Sequence, residues 1–187
     1  GGLAWGDGVW ANVAEAYEFL IRYYSAGDRI FLFGFSRGAF TARAVSGLIH
    51  MFGVLRPGHE NLIPTLLRVY RSRASNSRNT IAKSLKDQFS MPDTCVHFIG
   101  CWDTVESVGI WQFLGAHITS DAHVKSSFRH VRHAMALDEL RWPFKPRAYL
   151  PRANGLSNGT SYKQVWFRGA HSDIGGGYTD AGLSHIT

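Results

Sequence analysis

Ser36 lies in Gly34-Phe35-Ser36-Arg37-Gly38, a G-x-S-x-G spacing that can present a serine hydroxyl on a tight turn. The bare pattern is weak in a chain with 20 glycines among 187 residues. Its meaning comes from context: a strand must run into the first glycine and a helix must leave from the second. Residues 29–33 form a nearly all-apolar run that reads as a strand buried on both faces. Residues 37–52 read as a small-residue-rich helix closed by Gly53. In that setting Ser36 is a nucleophile candidate. The N–H of Arg37, at the helix start, is a candidate oxyanion donor. An ordinary strand-to-helix turn with Ser36 as helix N-cap is the plainer alternative.

A serine nucleophile needs a base, and the base needs an orienting carboxylate. On a strand-turn-helix serine the chain order is Ser, then Asp or Glu, then His. His171 stands in Gly169-Ala170-His171-Ser172-Asp173-Ile174-Gly175-Gly176-Gly177, directly after the strand candidate 162–167. It is the base candidate; a surface turn with an incidental histidine is the alternative. The triple glycine is no P-loop, because no Gly-Lys-Ser/Thr follows it. Asp103 follows the buried-strand candidate 94–101, at the sheet edge expected for Ser36. It lies 67 residues after Ser36 and 68 before His171, room for a crossover on each side. Asp173 is the main rival acid and Glu106 a weaker one; Asp103 could also be a simple turn cap.

Other clusters admit blander readings. Asp138-Glu139 closes the stretch 127–140, read as a helix; acids at a helix C-terminus oppose its dipole and invite a specific partner, although a solvated face also fits. His117, His123, His130 and His133, with Asp121, raise a metal site, and His130 and His133 would share a helical face, but no metal-ligand motif accompanies them. Neither metal nor cofactor is expected. Arg68, Arg71, Arg73, Arg78, Lys83 and Lys86 form one basic cluster, and Arg141, Lys145, Arg147 and Arg152 a second. Both read as solvated surface or as a patch for anions. The apolar patch 110–114 reads as core, or as an acyl pocket or lid. Cys95 and Cys101, if on one strand, are about 20 Å apart, too far for a disulfide.

The elements that must position these groups alternate. A helix over 9–24, with Asp7 as a candidate N-cap and Gly27 as terminator, precedes the strand 29–33 and the helix 37–52. Helices over 60–73 and 81–89 flank a polar loop over 72–80. This is the rhythm of a mostly parallel α/β sheet flanked by helices, in one domain spanning 1–187. Hydrophobic residues at 45% exclude a disordered chain, and no run of 18 apolar residues predicts a membrane-spanning helix. A net charge of +6 favours anionic partners without choosing among them. The chain starts at Gly1 and stops at Thr187 within an apolar-polar run, so it is read as a fragment truncated at both ends.

Five blocks in order resemble one family: Tyr17-Glu18-Phe19-Leu20; Gly34-Phe35-Ser36-Arg37-Gly38-Ala39-Phe40; Trp102-Asp103-Thr104-Val105; Arg132-His133-Ala134-Met135-Ala136-Leu137-Asp138-Glu139; and residues 165–178 around His171. That family is the α/β-hydrolase family of the type VI secretion phospholipase effector catalytic domain. The resemblance implies an α/β-hydrolase-like fold and a serine hydrolase acting on glycerophospholipid esters. Ser36, Asp103 and His171 match its triad positions. Arg168 stands where the family often has proline, and the upstream strand with its Asp-Gly-Thr-like turn, the expected source of a second oxyanion donor, is missing here. The expected partner is an ester or phospholipid substrate, with membrane-surface contact and no nucleic acid. The alternative is a non-catalytic hydrolase-like module binding an anionic partner through its basic patches.

Overall fold

The structure, a computed structural model, describes residues 3–73, 75–105, 127–141, 148–149 and 159–187. Helix α1 (Leu3–Tyr23) leads into strand β1 (Ile30–Phe35) and helix α2 (Arg37–Phe52). A 3-10 turn (Glu60–Leu62), α3 (Ile63–Arg71) and α4 (Asn76–Phe89) follow, then β2 (Val96–Trp102), β3 (Phe128–Ala136), β4 (Ser161–Phe167) and the short helix α5 (His171–Gly175). All three strand pairings are parallel, and the spatial order β1-β2-β3-β4 is the sequence order. This is an α/β fold with a parallel sheet flanked by helices. Among the described residues no helix is long and apolar enough to cross a membrane.

The main core lies between the sheet and the helices α1–α4. Val13, Tyr17 and Ile21 of α1 recur at four-residue steps, so they share one face. They bury against Leu48, Ile49 and Phe52 of α2 and Ile30, Ile99 and Val131 of the sheet. Each fully buried large side chain contributes about 1.5–3 kcal/mol. Tyr17 buries a polar tip as well: its hydroxyl donates to Gly53 O at 2.8 Å, pinning α1 to the end of α2, and burial pushes its pKa up. The α2–β1 approach is tight. A Cβ on Gly34 would stand 2.2 Å from Gly38 O, so any side chain there would drive the helix off the strand. A Cβ on Gly38 meets nothing within 4 Å, so the second glycine of the motif has no such steric need.

Several expectations need correction. Residues 127–140 do not form a helix: 128–136 are β3. Ala134, Met135 and Ala136 are good helix formers, but tertiary context overrides propensity here. β3 is laddered to β2 on one side and β4 on the other. Its faces bury different sets, Val131 in the main core, Ala134 and Ala136 against Ile174. His130 and His133 are three residues apart on a strand and so face opposite sides, not one helical face. β1 is buried on one face only: Phe31 and Phe33 are 50% and 59% exposed. Their rings lie against Phe98, the Phe33–Phe98 centroids 5.5 Å apart, on the face opposite the helices.

The loop expected over 72–80 is shorter, because α4 begins at Asn76, where Ser75 caps it by accepting the Arg78 N–H at 3.1 Å. Asp7 is no N-cap, since α1 already starts at Leu3. Glu106, the patch 110–114, His117, Asp121, His123, Lys145, Arg147 and Arg152 lie outside the described residues.

Candidate active site

In a parallel sheet the loops leaving the strands gather at one edge, where ligands bind. That edge carries the candidate residues here. Ser36 directly follows β1 and Asp103 directly follows β2; Asp138 and Glu139 come just after β3, and His171 just after β4.

Ser36 takes φ 58° and ψ −117°, a strained conformation for an L residue. Its backbone N–H donates to Trp102 O at 3.0 Å, which fixes the turn to the end of β2. Ser36 holds the N-cap position of α2, as the plainer reading had it, but its side chain makes no cap bond. Instead Ser36 Oγ lies 2.8 Å from His171 Nε2, and His171 Nδ1 lies 2.7 Å from Asp103 Oδ2. Asp103 is fully buried, at φ 40°, and its Oδ1 accepts the Ala136 N–H at 2.8 Å. A carboxylate acceptor holds the proton on Nδ1, which leaves the Nε2 lone pair to accept from the Ser36 hydroxyl. The imidazole is 5% exposed and lies against the Phe35 ring, centroids 4.5 Å apart. Gly175 makes room for that ring, since a Cβ there would fall 2.0 Å from it. The arrangement can deprotonate the serine and hold the resulting imidazolium.

Arg37 is the first residue of α2, so its N–H sits at the positive end of the helix dipole, beside Ser36. A cleft of about 770 Å³ opens there between α1 and α2, lined by Gly8, Val9, Asn12, Arg37, Gly38 and Thr41 around Ser36. The rival acid Asp173 does not hold the imidazole: its Oδ2 accepts the Ala170 N–H at 2.8 Å, a local turn bond.

Sequence reasoning missed a supporting layer beneath Asp103. His133 Nε2 accepts the Thr104 N–H at 3.3 Å, while its Nδ1 donates to Gln164 Oε1 at 3.1 Å. Gln164 in turn brackets Tyr149, accepting its N–H at 2.6 Å and donating to its carbonyl at 3.1 Å. The Arg43 guanidinium stacks 3.8 Å above the Tyr149 ring. Burial, with the charge of Arg43, pushes His133 down to about 4, outweighing the pull of Gln164 and Asp103. The unfolded imidazole takes its proton from its ordinary value of 6.5 downward, the folded one only near 4. The contribution is therefore complete above about pH 6.5 and is lost as pH falls toward 4. Between pH 7 and pH 5 the stability advantage of the wild type over His133→Gln should shrink by about 2 kcal/mol. Urea denaturation at the two pH values checks this; an advantage independent of pH would contradict it.

Within the basic cluster, Arg78 is 5% exposed and donates from Nη2 to Tyr70 O at 3.0 Å, and Arg71 lies 4.9 Å above the Trp10 ring. These two cations hold α3, α4 and α1 together and so do not fit the solvated reading. Arg141, of the second run, pairs with Glu139 at 2.7 Å.

A family model described as the type VI secretion system (T6SS) phospholipase effector Tle1-like catalytic domain matches residues 1–187. The uncharacterized protein YEL023C of Saccharomyces cerevisiae is 35% identical over 159 residues, 78% of this chain and 23% of the yeast protein. The solved structure of the Tle1 effector bound to the VgrG spike aligns over 97% of this chain and 32% of its own, at 23% identity and a TM-score of 0.46. The chain thus spans 23% and 32% of the length of these two proteins. Since the family match runs the whole length of the chain, the protein belongs to the Tle1-like phospholipase effector catalytic-domain family.

Proposed function

We propose that this chain is a serine ester hydrolase whose substrate is an acyl ester of a phospholipid. The observation that carries the reading is the continuous hydrogen-bonded chain from Ser36 Oγ through His171 to Asp103. Its members come from three separate strand-end loops and converge on Ser36, which lines a cleft. His171 Nε2 takes the Ser36 proton as Oγ attacks the ester carbonyl. The Arg37 N–H donates to the oxyanion, and Asp103 stabilises the imidazolium. His171 then protonates the leaving alcohol, and a water activated by the same nitrogen releases the fatty acid from Ser36.

Family membership supports the phospholipid class. The net charge of +6 suits an anionic bilayer surface. The non-catalytic alternative rested on free basic patches, and the internal roles of Arg78 and Arg71 weaken it.

The test is labelling with a fluorophosphonate ester, which reacts only with an activated serine. The expected result is stoichiometric labelling of the wild type and none of Ser36→Ala. A folded wild type that takes no Ser36-dependent label would sink the reading.

A further inference from the structure

His171 faces a geometric problem. β4 stands three strand spacings from β1, about 14 Å, yet His171 after β4 must reach Ser36 after β1. The loop leaving β4 therefore turns back over the ends of β3 and β2. At the end of β3 it meets two carboxylates.

Asp138 Oδ2 accepts the Gly169 N–H at 2.7 Å, and the Asp138 N–H donates to Gly169 O at 3.1 Å. Glu139 Oε2 accepts the His171 N–H at 3.2 Å. With Asp173 receiving the Ala170 N–H, three successive amides of the loop, 169, 170 and 171, end on three different carboxylates. Glu139 is itself fixed: Oε1 accepts the Arg141 N–H at 2.8 Å and its Nε at 2.9 Å, and Oε2 accepts Nη2 at 2.7 Å. Its side chain is 2% exposed although its partner is 54% exposed. Arg141, with the backbone amides of Arg141 and His171, holds the Glu139 carboxyl down to about 2, so it stays charged at any working pH. Glu139 does not fit the solvated reading of this acid pair, whereas Asp138 is exposed and still takes the Gly169 amide. The helix-dipole argument falls too, since the pair follows a strand.

Resting on the serine-hydrolase reading, we propose that Asp138 and Glu139 are positioning residues that clamp the Gly169 and His171 amides and so return His171 to Ser36. Neither side chain bonds the imidazole, the serine or Asp103; each acts through the backbone of the loop. A displacement of about 1 Å at the base costs on the order of 10²-fold in rate.

The experiment compares Asp138→Ala, Asp138→Asn, Glu139→Ala and wild type by fluorophosphonate kinetics, with circular dichroism to confirm folding. The alanine variants should lower the maximal labelling rate 10- to 100-fold with the probe's half-saturation unchanged, because neither residue lines the cleft. Asp138→Asn keeps an oxygen for the Gly169 amide and should label within threefold of wild type. A second readout needs no activity: the far-downfield proton resonance of His171 Nδ1–H, identified by its loss in His171→Ala, should broaden or shift in the alanine variants and persist in Asp138→Asn. Absence of Ser36-dependent label in wild type defeats the hydrolase reading, and the resonance alone then judges the clamp. Folded alanine variants with wild-type label rates, or with an unchanged resonance, overturn the clamp itself.

Discussion

Replacing His171 with alanine should lower ester hydrolysis by roughly 10⁵–10⁶-fold. At neutral pH a serine hydroxyl gives up its proton only to a base already in contact, and in the proposed mechanism Nε2, at 2.8 Å, is that base. The loss should equal that of Ser36→Ala, and the double variant Ser36→Ala/His171→Ala should be no worse than either. Groups that act as one unit are lost together, and what remains comes from binding and the oxyanion donor. The fold should survive, because His171 stands outside the main hydrophobic core cluster. Turnover of a phospholipid in vesicles, measured as released fatty acid, checks the effect. A His171→Ala protein within tenfold of wild type would show that another group takes the proton.

Asp103→Asn should cost about 10⁴-fold in kcat while leaving stability nearly unchanged. The asparagine oxygen can still accept the Ala136 N–H that Asp103 Oδ1 accepts at 2.8 Å. Its NH₂ must then face His171 Nδ1, now 2.7 Å from Oδ2. That nitrogen is forced to accept, so the ring proton moves to Nε2 and points at Ser36, where a lone pair is needed. Asp103→Ala differs in a telling way. It leaves the buried Ala136 N–H without its partner, which costs a further 1–3 kcal/mol or so of stability. Thermal melts beside kcat separate the two: Asn should melt near wild type, Ala well below. Equal melting with equal activity loss would mean that the Ala136 bond contributes nothing.

The candidate nucleophile was legible because its signal is local. An apolar run, a glycine that must admit a helix backbone and a small-residue helix are all written within about 25 residues, 29–53. Asp103 and His171 were legible from chain order and from following strands 94–101 and 162–167, both close to the observed β2 and β4. That β1 is buried on one face only was not legible. An uninterrupted apolar run states that the strand is apolar, whereas what covers each face is a matter of distant packing.

β3 looks helical in the sequence because Ala134-Met135-Ala136 are helix formers and a three-residue histidine spacing suits a helical face. That appearance hid the meaning of Asp138-Glu139. At a helix end the pair looks frustrated or solvated; at the end of a parallel strand it sits beside whatever leaves the next strand. No local pattern shows that this neighbour is the backbone of the His171 loop. Likewise His133, placed in a possible metal cluster from sequence, holds the Thr104 and Gln164 side of the Asp103 turn.

Residue type and order thus determined which groups could react: a serine between glycines, and an acid and a histidine after strands. Only the tertiary structure decided that they meet, that Asp103 rather than Asp173 holds the imidazole, and that two further carboxylates hold the loop. The physical reason is that reactivity is encoded by side-chain type and short-range turns. Convergence from strands up to three positions apart is encoded by sheet register and by hydrogen bonds between residues roughly 30 to 135 positions apart.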